Sequence, residues 1–252
     1  MSENEWRQTQ SPLSDPIPGL PVVFEDESLI VVDKPSGMLS QPGRMVSDSV
    51  LSRVLQARPQ ATGSVLVHRL DMDTSGLLLL AKNRNAHRVL QQQFEQRHIG
   101  KRYLARLCAE PSAQGGRIHL PLRVDIDDRP RQIVCKTHGK QATTVWHRCS
   151  RRSPGHVWLY PLTGRTHQLR VHMAHPQGLG MAISGDRLYE GHYSSGRCVD
   201  QSSPRAACSP VSAQDAPETG GLMLHAQLLA FDHPVTGIRK SFQSLPPFDD
   251  IG

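Results

Sequence analysis

Residues 77–81, Leu-Leu-Leu-Leu-Ala, are the most apolar run of the chain and constrain its fold most tightly. The run is far too short for a membrane span, and its continuity suits a strand buried on both faces. Directly before it stand Arg69, Asp71, Asp73, Thr74, Ser75 and Gly76. A carboxylate at the lip of a buried strand is held rigidly and partly desolvated, as a catalytic carboxylate needs to be. The same pattern also fits a plain turn into a core strand, with Asp71 and Asp73 as solvated turn residues.

Periodicity extends this skeleton. Residues 22–32 predict a pair of short strands, and Pro35-Ser36-Gly37 predicts a turn. Between Ser47 and Arg58, Val50, Leu51, Val54 and Leu55 recur at helical spacing, with Ser47 or Asp48 as the cap. Ala86, Val89, Leu90 and Phe94 share one face of a helix over residues 85–96. A strand is expected from Ile99 to Ala109, and from there to about residue 172 short strands joined by Gly, Pro and Asp turns. Residues 1–21 predict a disordered leader. The Ser-, Ala-, Gly- and Pro-rich stretch 190–221 predicts a flexible surface insertion, and residues 22–252 form a single domain around it.

With 252 residues the chain is long enough for a real core, and its net charge of +6 suits a polyanionic partner. Arg97, Lys101, Arg102 and Arg106 lie together in sequence, as do Arg151, Arg152, Arg165 and Arg170, suggesting a phosphate-contacting surface. No stretch of 18 apolar residues exists, and the acidic, polar N-terminus is unlike a signal peptide. The cysteines Cys108, Cys135, Cys149, Cys198 and Cys208 form no C-x-x-C pair and are expected to be reduced thiols of a cytoplasmic protein. His167, His172 and His175 are the densest histidine group, but no spacing matches a common zinc site, so no metal is expected.

The polar string can be read further. His68-Arg69-Leu70-Asp71 followed by Thr74-Ser75-Gly76 resembles the central motif of the RluA-type pseudouridine synthases. Residues 25–37, through Val31-Val32-Asp33-Lys34-Pro35-Ser36-Gly37, are similar to that family's opening strand and turn. Lys101-Arg102-Tyr103-Leu104-Ala105 resembles its tyrosine motif, and the segment from Thr163 to His172 its arginine motif. Gly185-Asp186-Arg187-Leu188-Tyr189 and Leu224-His225-Ala226 resemble the two closing motifs. The elements come in the family's order across residues 22–242.

The resemblance implies an α+β fold, with a mixed, largely antiparallel sheet, flanking helices and a central RNA-binding cleft. It implies a monomeric RNA pseudouridine synthase that needs no cofactor. The reaction breaks the bond from ribose to base nitrogen, turns the base and rejoins it through carbon, with no atoms gained or lost and no redox change. A single carboxylate beside sugar and base suffices, and the resemblance makes Asp71 that group, as nucleophile or as base. It makes Arg165 the cation that keeps Asp71 ionised, and Tyr103 the ring stacked on the base. A uridine inside a helix has to leave its stack to react, and by resemblance Arg69 fills the vacated space. Thr74, Arg170 and Leu224 are assigned to substrate binding in the same way. His68 and Leu70 alternate with Arg69 and Asp71 and are read as structural.

About 22 residues precede the first matched strand, too few for the S4-type RNA-binding domain that many relatives carry. Together with Ser40-Gln41-Pro42-Gly43-Arg44 and Asp128-Arg129-Pro130-Arg131-Gln132, this points to the family's short branch. That branch acts on stem-loops of transfer RNA (the anticodon arm) and 23S ribosomal RNA; a second short branch modifies a different transfer RNA arm. Two other classes fit worse. A non-catalytic RNA-binding module would not need Asp71, Tyr103 and Arg165 together. An aspartic hydrolase would need Gly two residues after Asp73, where Ser75 stands, and a second carboxylate motif that the chain lacks.

Overall fold

The computed structural model describes residues 15–149, 154–193 and 221–248. The chain opens with β1 (Val22–Glu25), β2 (Leu29–Lys34), α1 (Val50–Ala57), β3 (Ser75–Ala81) and α2 (Arg84–Glu95). It continues through β4 (Gly100–Arg106), β5 (Gly115–His119), β6 (Leu122–Val124), β7 (Gln132–Val134), β8 (Thr143–Arg148), β9 (His156–Pro161) and α3 (Gln168–Ala174). The last elements are β10 (Leu224–Asp232) and β11 (Arg239–Gln243). This is an α+β fold, with few helices and strands that pair mostly antiparallel.

The chain packs as two units. Among the described residues the first comprises 15–101 and 226–246, the second 102–149, 154–193, 221–225 and 247–248. In the first, the strand order is β1-β2-β3-β10, with β11 paired to β10. β3 is the central strand, and the expectation of burial on both faces holds. Leu77, Leu79 and Ala81 pack with Ala86 and Leu90 of α2, Phe231 of β10 and Phe242 of β11. Leu78 and Leu80, which alternate onto the other face, are equally buried. Removing four leucine side chains from water is worth roughly 8 kcal/mol as an upper estimate, comparable to the net stability of a whole domain. The strand that carries the Asp71 loop is therefore a fixed support.

Both expected helices of the first unit form, with shifted starts. The cap of α1 is Ser49, not Ser47 or Asp48. Its hydroxyl accepts from Ser52 N while the Ser52 side chain accepts from Ser49 N. Ser49 is where the extended backbone ends, because it bridges to Leu39. Asp48 instead pairs with Arg53 across Oδ2–Nη2 at 2.6 Å. α2 is capped by Asn83, which accepts from Ala86 N at 2.9 Å. Residues 15–21 of the expected leader contain a turn in which Ile17 and Leu20 bridge to each other and are buried. Residues 1–14 lie outside the described residues.

The second unit has strand order β4-β9-β8-β5 plus the β6-β7 hairpin. Its core gathers Leu107, Trp146, Val157, Leu159, Leu169 and Met173. The expectation of strands as far as residue 172 is corrected here, because 168–174 is the helix α3. All seven of its residues are buried, so no side faces water and no amphipathic period marks it. Most of the 190–221 insertion, together with Arg151, Arg152, Cys198 and Cys208, lies outside the described residues.

Candidate active site

The loop between Val67 and Ser75 hangs from the N-terminal end of β3, and its backbone is held on both sides of Asp71. On one side the Ser40 hydroxyl donates to Leu70 O at 2.7 Å and accepts from Leu70 N at 3.0 Å. On the other, Met72 O accepts from Gly37 N at 3.0 Å and from the Lys34 ammonium at 2.8 Å. The Ser36 hydroxyl donates to Asp73 O at 2.7 Å, and Thr74 N closes the turn on Asp71 O at 3.2 Å. Asp71 and Asp73 remain half-buried, with their side chains on a backbone that cannot drift.

Lys34 is the group that sequence reasoning missed. It ends β2 opposite Gly76 and is completely buried. Its ammonium also donates to Pro35 O at 2.9 Å and Met38 O at 2.7 Å. Burial pushes its pKa down to about 8, against the opposing pull of the Asp71 and Asp73 charges. The available signal was a lysine closing an otherwise apolar buried strand immediately before a turn.

Gly76 fits for a steric reason. Its φ is +109°, and an added Cβ would stand 2.5 Å from Ala226 O and 2.6 Å from Ala226 N. β10 thus approaches β3 where only glycine leaves room. The Thr74 hydroxyl, expected to bind substrate, is buried and meets no hydrogen-bond partner among the described residues. Arg69 is exposed, as an RNA contact requires. His68 has the structural role expected of it: its Nε2 accepts from Leu79 N at 3.1 Å and its ring stacks on Phe94 at 4.7 Å. Burial and the Lys101 charge hold His68 neutral, with a pKa of about 3.

The other expected residues belong to the second unit. Tyr103 sits half-buried on β4, paired in register with Leu159. Arg165 is exposed in the loop before α3, with its Nε donating to Gln141 O at 3.1 Å. Gln168 organises that loop. Its Oε1 accepts from Thr163 Oγ1 at 2.7 Å and from Arg165 N at 3.0 Å, while its Nε2 donates to Thr143 O at 2.9 Å. Sequence reasoning missed Gln168 as well, since its Nε2 reaches Thr143 and Thr144 on a distant strand.

Two residues expected to bind substrate lie away from solvent. The Arg170 guanidinium is only 2 % exposed and forks onto Asp186, with Nε–Oδ2 at 2.9 Å and Nη2–Oδ1 at 2.6 Å. It ties α3 to the Gly185–Tyr189 segment, and its charge faces no solvent. Leu224 is likewise buried in the core of the second unit. The basic string 97–106 is not one patch either. Lys101 and Arg102 alternate across β4, the first 5.6 Å from the Phe94 ring and the second 4.5 Å from the Trp158 ring. Among the described residues no group of three His, Cys, Asp or Glu side chains could hold a metal ion. His172 lies 2.9 Å from Thr144 Oγ1 and 3.3 Å from Leu120 O, and burial lowers its pKa to about 4.

A family model described as RNA pseudouridylate synthase matches residues 28–175. The dual-specificity RNA pseudouridine synthase RluA of Escherichia coli strain K12 is 39% identical over 235 residues, covering 92% of this chain and 95% of that protein. The protein of the same name from Vibrio vulnificus is 43% identical over 180 residues, covering 68% of this chain and 70% of its own length. Among solved structures, human RNA pseudouridylate synthase domain containing 1 superposes with a TM-score of 0.66 at 26% identity, covering 93% of this chain and 86% of that one. Human RNA pseudouridylate synthase domain containing 4 shares the fold, with a TM-score of 0.65 at 22% identity over 90% of this chain and 89% of that one.

Proposed function

The chain belongs to the RNA pseudouridylate synthase family and is an RNA pseudouridine synthase of the RluA type, and from that premise we propose that it isomerises a uridine in structured stem-loop RNA with Asp71 as the catalytic carboxylate. The observation that carries this reading is the clamping of Leu70, Met72 and Asp73 around a half-buried Asp71. A carboxylate so held meets a flipped nucleotide without reorganising. Tyr103 and Arg165 are assigned their catalytic roles, and Arg69 its place in the vacated stack, by resemblance. The RNA proposed is the anticodon stem-loop of a transfer RNA, a 23S ribosomal RNA hairpin, or both, in line with the dual-specificity relatives. The enzyme acts as a monomer in the cytoplasm and uses residues 22–252 as one catalytic domain.

The test is tritium release from 5-tritiated uridine transcripts, comparing wild type with Asp71→Asn. Release by the wild type alone from an anticodon stem-loop or a ribosomal hairpin supports the assignment. Release by Asp71→Asn would remove Asp71 from the chemistry, and release only from another transfer RNA arm would reassign the substrate.

A further inference from the structure

The segment between β2 and α1 is not absorbed by the chemistry above. Residues 41–48 are all exposed, yet the neck of this loop is tightly closed. Leu39 bridges Ser49, Val50 N donates to Leu39 O at 2.8 Å, and Leu51 N donates to Ser40 O at 3.1 Å. The same Ser40 grips Leu70 through its hydroxyl, so the loop springs from the residue that holds the backbone next to Asp71. Within the loop, Gly43 N donates to Val46 O at 2.9 Å and closes a tip of Gly43, Arg44, Met45 and Val46. At its base Asp48 is taken up by Arg53, which leaves the tip with positive charge only.

The tip carries adjacent apolar side chains in water. Met45 is 95% exposed and Val46 51% exposed. Isolated exposed apolar residues are ordinary in soluble proteins. Two in succession beside an arginine, on an ordered tip whose root is shared with the catalytic loop, make a surface suited to nucleotides. Arginine meets phosphate, and the polarizable methionine packs against flat, apolar surface. Arg44 is four residue steps from Ser40, so the tip reaches at most about 14 Å from its neck. That is the length of about four stacked nucleotides at a rise of ~3.4 Å each.

We propose that residues 43–46 grip the RNA strand beside the uridine that enters at Asp71, with Arg44 on a phosphate and Met45 and Val46 against neighbouring nucleotides. This rests on the function proposed above and adds a substrate-holding element to it.

The experiment uses a stem-loop that the wild-type chain turns over. RNA affinity is measured across a salt series in the Asp71→Asn background, and kcat and KM in the otherwise wild-type background. Met45→Ala combined with Val46→Ala is expected to raise Kd and KM about tenfold, with the salt slope unchanged and kcat within about twofold. Arg44→Gln is expected to flatten the slope of log Kd against log salt by about 0.7 to 0.9, one phosphate contact. Val235→Ala, at an exposed apolar residue of the β10–β11 turn, serves as the control and leaves all of these unchanged. Loop variants that match wild type in Kd, KM and salt slope would overturn the inference while leaving the function intact. A fall in kcat at unchanged KM would also overturn it, because the loop would then position Asp71 and not hold RNA. Absence of turnover by the wild type on every transcript would overturn the proposed substrate and this inference with it.

Discussion

Replacing Lys34 by Met removes the ammonium while keeping most of the side-chain volume. The carbonyls of Pro35, Met38 and Met72 then lose donors now at 2.9, 2.7 and 2.8 Å. A buried acceptor left unmet costs about 1–3 kcal/mol; Met72 O keeps the Gly37 N–H, so the two carbonyls left without a donor cost roughly 4 kcal/mol. Against this, the substitution relieves the burial of a charge. The fall of the Lys34 pKa from 10.5 to about 8 corresponds to about 3 kcal/mol held against the charged form. The expected net loss is therefore about 1 kcal/mol, read as a lower urea midpoint at unchanged m-value. The catalytic effect should be proportionally larger, because Met72 follows Asp71 directly and displacements near 1 Å cost about 100-fold. A tritium-release assay should show kcat down roughly 100-fold with RNA affinity little changed. Wild-type kcat in a destabilised Lys34→Met variant would refute the argument that Lys34 places Asp71. Unchanged stability would refute the argument that it holds the three carbonyls.

The same lysine sets a pH dependence: its folded pKa lies below its unfolded value, so between about pH 8 and 10.5 the folded protein binds fewer protons and gains stability as pH rises. Wild-type stability relative to Lys34→Met should climb through that window, and urea midpoints at pH 7.5 and 10 measure it. Gly76→Ala is expected to cost at least about 3 kcal/mol and to lower kcat, since a Cβ 2.5 Å from Ala226 O meets backbone that cannot step aside. Ser40→Ala strips both clamps from Leu70 and should cost about 1–3 kcal/mol in stability, with a lower kcat and little change in RNA affinity. Asp186→Ala removes both oxygens onto which the buried Arg170 guanidinium forks and should cost about 3–5 kcal/mol. Adding Arg170→Met should recover part of that loss in a double-mutant cycle.

Much of the fold was legible because it is written in local pattern. The apolar run 77–81 reads as a buried strand, and it is one. The helical faces around Val54 and Leu90 place α1 and α2 to within a few residues. Cap identity was misjudged by one or two positions for α1, because the bridge to Leu39 that ends the extended chain at Ser49 is a non-local contact. α3 was missed because a helix buried on every side has lost the amphipathic period by which helices are recognised.

The family and its chemistry were determined by the sequence alone, since contiguous strings such as His68-Arg69-Leu70-Asp71 carry them in order along the chain. Which charged side chains are buried, and on which partners, was decided only by tertiary structure. Lys34 and Met72 are 38 residues apart, Ser40 and Leu70 are 30 apart, and Arg170 and Asp186 are 16 apart. A lysine or arginine has the same residue type whether it meets RNA or fills a buried socket of carbonyls or carboxylate. Desolvation and the partner brought to it by folding settle which, and neither exists until the chain has closed on itself.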